Sequence, residues 1–179
     1  MIMMNCTSRN VILVPGCLLC PIYQVGYDES KLSWRREILD FLCMSGVSLV
    51  QMPCPEVMFE NFNVGLSRKP HGIRYYENSP GFKDYCKGLA RGVAMQIEAL
   101  QENGYAIKAI LGIENSPTCA IDKIFTYGIG MEKRSGLFIT ELKNNLLEHG
   151  LTIPFVGIIR HKKDQKKEIA QILELIDVF

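Results

Sequence analysis

Four runs of almost uninterrupted apolar residues constrain the fold of this chain more than any other feature. They are separated by segments in which apolar residues recur at helical spacing, and the predicted strands are Val11–Val14, Val47–Met52, Tyr105–Ile113 and Ile153–Ile159. Apolar runs of this length, bounded by glycine, proline and polar residues, are typical of strands buried on both faces.

The predicted helices cover about residues 30–45, 81–103 and 136–148, and a final helix carries Ile169, Ile172, Leu173 and Ile176 on one stripe. Strands that alternate with helices predict a three-layer α/β fold. We expect a Rossmann-like or flavodoxin-like, mostly parallel sheet with helices on both faces. No linker divides the chain, so we expect a single α/β domain over residues 1–179. In residues 57–79 the apolar residues follow neither helical nor strand spacing, and this segment resembles a binding loop or lid. Residues 120–134 resemble a loop or small hairpin.

The composition excludes several classes of partner. Hydrophobic residues make up 47% and charged residues 22% of the 179 residues, and the net charge is +1. This near-neutral charge does not indicate binding of a nucleic-acid polymer. No apolar stretch is long enough to span a membrane. The first residues lack the pattern of a secretory signal. We therefore expect a cytoplasmic protein whose partner is a small molecule, with an oligomeric state that the sequence leaves open.

Seven cysteines are present, an odd number that argues against a disulfide framework in a reducing compartment. Cys17, Cys54 and Cys119 each follow the carboxyl end of a predicted strand. In open α/β sheets ligands bind at that edge, so these three thiols are expected to converge on one metal centre. Cys43 and Cys86 lie in predicted helices and are expected to pack in the core. Cys6 has no patterned neighbours.

Cys17 and Cys20 form a C-x-x-C pair, which leaves several interpretations open. A structural zinc site needs four ligands, usually two such pairs, and neither a second pair nor a matching histidine cluster is present. A C-x-x-C pair also lowers a thiol pKa and can act as a redox pair. A four-iron cluster held by three thiolates explains more of the pattern, because one iron then stays open to bind a substrate atom.

Three short motifs carry a resemblance to the thiouracil desulfidase family, in order and spacing over roughly residues 11–155. They are Cys17-Leu18-Leu19, Cys54-Pro55-Glu56 and Ser116-Pro117-Thr118-Cys119. The resemblance implies a 4Fe-4S cluster bound by Cys17, Cys54 and Cys119. It further implies that substrate sulfur binds the open iron and is removed from a thiolated nucleobase or related thioamide.

By the same resemblance, Glu56 and Ser116 are the acid–base residues. Arg68 lies in a stretch that is loosely similar to a family motif and is the candidate for orienting the substrate. Each residue also has an ordinary structural interpretation: Glu56 as a carboxylate capping a backbone amide, Ser116 as a turn serine, and Arg68 as a solvated loop residue.

The chain departs from the family pattern where Cys20 replaces a glycine, Thr118 a serine and Ala120 a glycine. The departure at Cys20 matters most. If Cys20 binds the fourth iron, the chain is a cluster carrier or sensor. A cluster-free small-molecule binder with a Cys17/Cys20 redox pair is the remaining alternative.

Overall fold

A computed structural model describes residues 9–24, 33–61, 70–126, 128–160 and residue 174. The helices and strands follow the order β1 (Asn10–Pro15), α1 (Gly16–Leu19), α2 (Ser33–Met44), β2 (Ser48–Met52), α3 (Pro55–Phe59), α4 (Ile73–Glu77), α5 (Phe82–Glu102), β3 (Ala106–Ile113), β4 (Ile124–Thr126), β5 (Gly130–Glu132), α6 (Leu137–Glu148) and β6 (Phe155–Ile158). The predicted final helix falls outside these residues.

Four parallel strands form the main sheet, in the order β2-β1-β3-β6. The chain winds from β1 outward to β2, and later from β3 outward to β6. The strand order therefore reverses between β1 and β3, as in flavodoxin-like folds, where ligands bind beside that switch point. The expected α/β fold with a mostly parallel sheet is confirmed.

Alternate side chains of β1 separate two hydrophobic clusters, one on each face of the sheet. Val11 and Leu13 pack with residues of α5 and α6, whereas Ile12 and Val14 pack with residues of α2. Because successive side chains of a strand point to opposite faces, this alternation produces three layers. The expected helices on both faces of the sheet are therefore present.

The register between β1 and β3 contains one irregularity. Val11 pairs with Ile107 and the next residue, Ile12, pairs with Ala109, so Lys108 is an extra residue in β3. An extra residue shifts the following side chains to the opposite face. The bulge therefore lets both Ile107 and Ile110 join the cluster with α5 and α6.

Three expectations need correction or refinement. The segment 57–79, expected to be irregular, contains the end of α3 and the whole of α4. Residues 120–134 contain a small antiparallel hairpin of β4 and β5, one of the two forms expected. Cys43 was expected to be buried and is exposed, because α2 buries Trp34, Ile38 and Leu42 and Cys43 lies beside that stripe.

Cys86 is fully buried among the core residues of α5, as expected. Within the described part of the chain, no helix combines the length and apolar character that a membrane span requires.

Candidate metal centre

The carboxyl ends of all four parallel strands meet at one cavity of about 160 Å³. The cavity is lined by residues that follow β1, β2, β3 and β6, among them Cys17, Cys54, Cys119, Glu56 and Ser116. The structure therefore brings together five of the six site residues predicted from the sequence. Arg68, the sixth, lies outside the described residues.

Cys17 lies in α1, the single helical turn that follows β1. The side chain of Arg35, from α2, holds this turn: its Nε donates to the carbonyl oxygen of Leu18 and its Nη2 donates to that of Leu19 at 2.5 Å. A guanidinium has several donors in a fixed planar arrangement. Arg35 therefore fixes the orientation of the turn that presents Cys17.

Cys54 is buried at the start of α3, where it is the residue before the first helical position. Pro55 occupies that first position, which suits proline because its fixed φ is already helical. The carbonyl oxygen of Cys54 accepts the amide of Met58 at 3.1 Å. The same helix carries Glu56, so one short helix brings a thiol and a carboxylate to the cavity.

Cys119 ends a tight turn after β3, and Ser116 organises this turn. The Ser116 Oγ accepts the amide N–H of Cys119 at 3.0 Å and that of Thr118 at 3.3 Å. This is the ordinary role of a turn serine, so the structural interpretation of Ser116 is correct. Ser116 nevertheless also lines the cavity.

Two glycines allow the Cys119 turn to pack closely against its neighbours. A Cβ on Gly112 of β3 would lie 2.3 Å from the carbonyl oxygen of Cys119, and one on Gly136 would lie 2.4 Å from that of Thr118. Both contacts are far shorter than van der Waals distances, so these positions require glycine for close approach. The backbone of the turn is thus fixed between β3 and the start of α6.

The three thiols influence one another electrostatically. Burial raises the pKa of the Cys119 thiol well above its usual value, and the nearby Cys54 and Cys17 thiols raise it further, while the Thr118 hydroxyl acts in the opposite direction. Like charges that approach in a region of low dielectric disfavour ionisation. A pocket that gathers three thiols is stabilised when a bound cationic centre compensates their charge as thiolates.

A buried carboxylate, Glu56, forms the polar part of the site. Its Oε1 accepts hydrogen bonds from the Thr118 hydroxyl at 2.7 Å and the Ser116 hydroxyl at 3.2 Å. The Tyr76 hydroxyl lies 3.5 Å from Oε2 and donates to Glu60 at 2.8 Å. Hydrogen bonds to a charged group contribute about 1.5–3 kcal/mol each, so Glu56 is held in a defined orientation beside the thiols.

Thr118 is completely buried and connects the carboxylate to the thiol. Its hydroxyl contacts Glu56, and the same oxygen lies 3.5 Å from the Sγ of Cys119. The sequence drew attention to Thr118 only as a substitution in a motif. Its contact with Glu56 joins segments that follow different strands, a pairing that no local pattern indicates.

The wall also contains polar residues that the sequence did not assign to the site, among them Gln24, His71 and Arg160. Gln24 is buried, and its Oε1 has no hydrogen-bond partner within the described structure. The His71 ring stacks on Tyr75 at a centroid distance of 3.8 Å. Arg160 follows β6 and therefore lies at the carboxyl end of a strand, as the three cysteines do.

Cys20 does not belong to the cavity wall that the described residues form, although Cys17 does. Its amide donates to the carbonyl oxygen of Gly16 at 2.8 Å and closes α1. Cys20 is partly exposed. The extra thiol of the C-x-x-C pair therefore lies beside the site rather than in its wall.

The donor set fits an iron–sulfur cluster better than a single metal ion. Across residues 9–24, 33–61, 70–126 and 128–160, no three His, Cys, Asp or Glu side chains are arranged to hold one ion. In a four-iron cluster each thiolate binds a different iron, so the ligands need not meet at one point. Soft thiolates are also the ligands that such clusters prefer.

Comparisons with known proteins concern the fold of the chain. No family model matches the chain. An uncharacterised protein of Methanocaldococcus jannaschii is 26% identical over 141 residues, which cover 78% of this chain and 80% of the relative. A solved 4Fe-4S-dependent thiouracil desulfidase matches with a TM-score of 0.52 at 22% identity, covering 93% of this chain and 99% of that chain. The chain therefore has the fold of a thiouracil desulfidase, as the resemblance of its sequence motifs predicts.

Proposed function

We propose that this protein is an iron–sulfur-dependent desulfidase that removes sulfur from a thiolated nucleobase or a similar thioamide. The observation that carries the proposal is the cavity at the strand ends, where three thiols and a hydrogen-bonded carboxylate line one wall. The shared fold with a 4Fe-4S-dependent thiouracil desulfidase supports it.

In this proposal Cys17, Cys54 and Cys119 hold three irons of a 4Fe-4S cluster. When bound by these residues, the cluster would supply Lewis-acid chemistry toward the thiocarbonyl sulfur. Residues of the chain carry out the remaining steps of the reaction. Cys20 stays outside the ligand set, in keeping with its absence from the cavity wall among the described residues.

Glu56 acts as the general base for the attacking water. Thr118 and Ser116 hold its Oε1 through their hydroxyls at 2.7 and 3.2 Å, which orients the carboxylate toward the cavity. Water adds to the thiocarbonyl carbon, the carbon–sulfur bond breaks, and hydrosulfide leaves while a carbonyl forms. The proton that Glu56 takes from water returns to the departing sulfur, and the second proton of the water is released from the new hydroxyl as the carbonyl forms. The products are the carbonyl compound, hydrosulfide and one proton, so the reaction is a hydrolysis and needs no oxidant or reductant.

The small thiolated substrate is the expected partner, rather than a nucleic-acid polymer or a membrane. We place the activity in the cytoplasm, where thiols stay reduced. A cluster carrier closed by Cys20 and a cluster-free binder with a Cys17/Cys20 redox pair make different predictions about iron, and the following experiment separates all three functions.

The experiment begins with anaerobic cluster reconstitution, followed by iron and sulfide counts. Cys17→Ala, Cys54→Ala and Cys119→Ala are expected to lose the cluster, whereas Cys20→Ala keeps it. Equal loss in the Cys20 variant would favour the carrier, and absence of iron in the parent protein would favour the redox pair.

Hydrosulfide release from a panel of thiolated bases then tests the catalytic assignment. Glu56→Gln is expected to lower kcat by about 10²–10⁴, the range for loss of a general base, with iron content unchanged. Glu60→Gln is the matched control, because Glu60 also bonds to Tyr76 but does not belong to the cavity wall formed by the described residues. Equal activity of the parent and the Glu56 variant would refute the role of Glu56.

A further inference from the structure

Among the described residues, Arg160 is the arginine that lines the cavity. Arg160 follows β6, is partly exposed, and lines the same cavity as the three thiols. Its guanidinium forms no hydrogen bond or ion pair with another described residue. A guanidinium presents a planar set of donors that matches carboxylate and phosphate groups.

Within the described part of the chain, the carboxylate of Glu114 does not pair with Arg160. Glu114, at the end of the adjacent strand β3, uses its carboxylate to accept the amide of Lys123 at 2.8 Å and that of Asp122 at 3.3 Å. Burial raises the pKa of Glu114. Its contacts fix the loop after β3 and leave the guanidinium of Arg160 available.

Glu56 and Arg160 both line the cavity but follow different strands. Glu56 follows β2 and Arg160 follows β6, the two edge strands of the order β2-β1-β3-β6. The Glu56 carboxylate is held at the Cys119 turn after β3, where its Oε1 accepts the hydroxyls of Thr118 and Ser116. The cavity therefore contains a carboxylate that is held by the Cys119 turn and an arginine that follows the last strand of the sheet.

We propose that Arg160 binds an anionic substituent of the substrate, so that the protein acts on thioamides that carry a carboxylate or a phosphate. This inference rests on the proposed function, because it concerns the same cavity and assigns the substrate's chemical class. The anionic group pairs with Arg160 near β6, and the thiocarbonyl group lies toward the thiols and Glu56. Arg160 is a binding residue in this scheme and takes no part in proton transfer.

The first test measures binding of sulfur-free ligands to the anaerobically reconstituted protein by calorimetry. Orotate is compared with uracil, from which it differs by one carboxylate, and uridine 5′-monophosphate is compared with uridine. We expect at least one anionic ligand to bind about tenfold more tightly than its neutral counterpart, the effect of one well-placed charge pair. The pair that shows the preference identifies the carboxylate or the phosphate as the anion.

Arg160→Gln is expected to reduce this preference to about one, and Arg160→Lys to retain part of it because the charge remains. Arg91→Gln, on the exposed side of α5, is the matched control and should leave the preference unchanged. Iron content and melting temperature are measured for each variant. No preference for either anion in the parent protein, or an unchanged preference in Arg160→Gln, would overturn the proposal.

A second arm separates this inference from the proposed function. Hydrosulfide release is measured from 2-thiouracil and from its 6-carboxylate. If neither releases hydrosulfide while an Arg160-dependent preference for the anion persists, the anion site stands and the desulfidase function fails. If both are desulfurated equally and the anion preference is absent, the function stands and the anion site fails. If Arg160→Gln and Arg160→Lys both lose iron, Arg160 serves the cluster instead of the substrate, and the inference is wrong.

Discussion

Replacing Gly136 by alanine tests how firmly the Cys119 turn is fixed against α6. Gly136 has φ −65° and ψ 160°, values that alanine also adopts, so the change adds no backbone strain. Its new Cβ would lie 2.4 Å from the carbonyl carbon and oxygen of Thr118 and 2.8 Å from the Cys119 nitrogen. All three are backbone atoms, so no side-chain rotation can relieve the clash.

The size of the effect follows from these distances. Restoring even a tight contact of 3.0 Å requires the turn and the helix to separate by about 0.6 Å, the difference from 2.4 Å. Overpacking that forces backbone shifts typically destabilises a protein by about 1–3 kcal/mol. We expect Gly136→Ala to lower the free energy of unfolding by about 2 kcal/mol, measured by urea denaturation of the cluster-free protein. Iron content after reconstitution should also fall, because the Cys119 amide is displaced.

Replacing Gly92 by alanine provides a control that is expected to change the free energy of unfolding in the opposite direction. Gly92 is exposed in the interior of α5, and a Cβ added there has no atom within 4 Å. Alanine in place of a helical glycine stabilises by about 0.5–1 kcal/mol, so Gly92→Ala should raise the free energy of unfolding and leave iron unchanged. A Gly136→Ala protein as stable as its parent, with full iron content, would refute the close packing of the turn.

Three further predictions concern the support of the site and the core. Thr118→Val removes the 2.7 Å hydrogen bond to Glu56, so kcat for hydrosulfide release should fall while iron stays bound, and the free energy of unfolding should drop by about 1.5–3 kcal/mol; an unchanged kcat would contradict this coupling. Burial raises the pKa of Cys86 to about 12 from 9.0, and the unfolded chain therefore loses this proton first as the pH rises. Stability should decline between pH 9 and pH 12, and urea titrations should show a smaller decline in Cys86→Ala; equal declines would contradict it. Arg35→Ala frees the turn that carries Cys17 and should lower iron content, whereas Arg36→Ala, on the exposed side of α2, should not.

The sequence predicted the strand ends of the site because that prediction needs only local information. Apolar runs show where strands end, and ligands of α/β folds generally bind at the carboxyl ends of the strands. Cys17, Cys54 and Cys119 were found in this way, and the cavity contains all three. Arg160 also follows a strand, β6, but a single arginine at a strand end is usually a solvated residue, so its position alone does not predict a role in the site.

Other features depended on contacts between distant segments. The hydrogen bond between Thr118 and Glu56 exists because β1 pairs with both β2 and β3, and that strand order cannot be read from local periodicity. Cys43 directly follows Leu42 in α2, and neighbouring residues of a helix point in different directions. Leu42 is therefore buried against the sheet, whereas Cys43 faces the solvent. Cysteine is usually a buried residue type, and the prediction that Cys43 is buried was therefore wrong.

The strand order also determines when the site can form during biosynthesis. Cys17 and Cys54 follow strands from the first third of the chain, whereas the Cys119 turn is positioned only after β3 has paired with β1. Pairing between parallel strands is slow because a long segment of chain must first close into a loop. A metal centre that needs all three residues is therefore loaded after folding, as a late maturation step. If the proposed cluster binds the folded state alone, it stabilises that state by mass action, and a shortage of iron then lowers the amount of folded protein as well as the proposed activity.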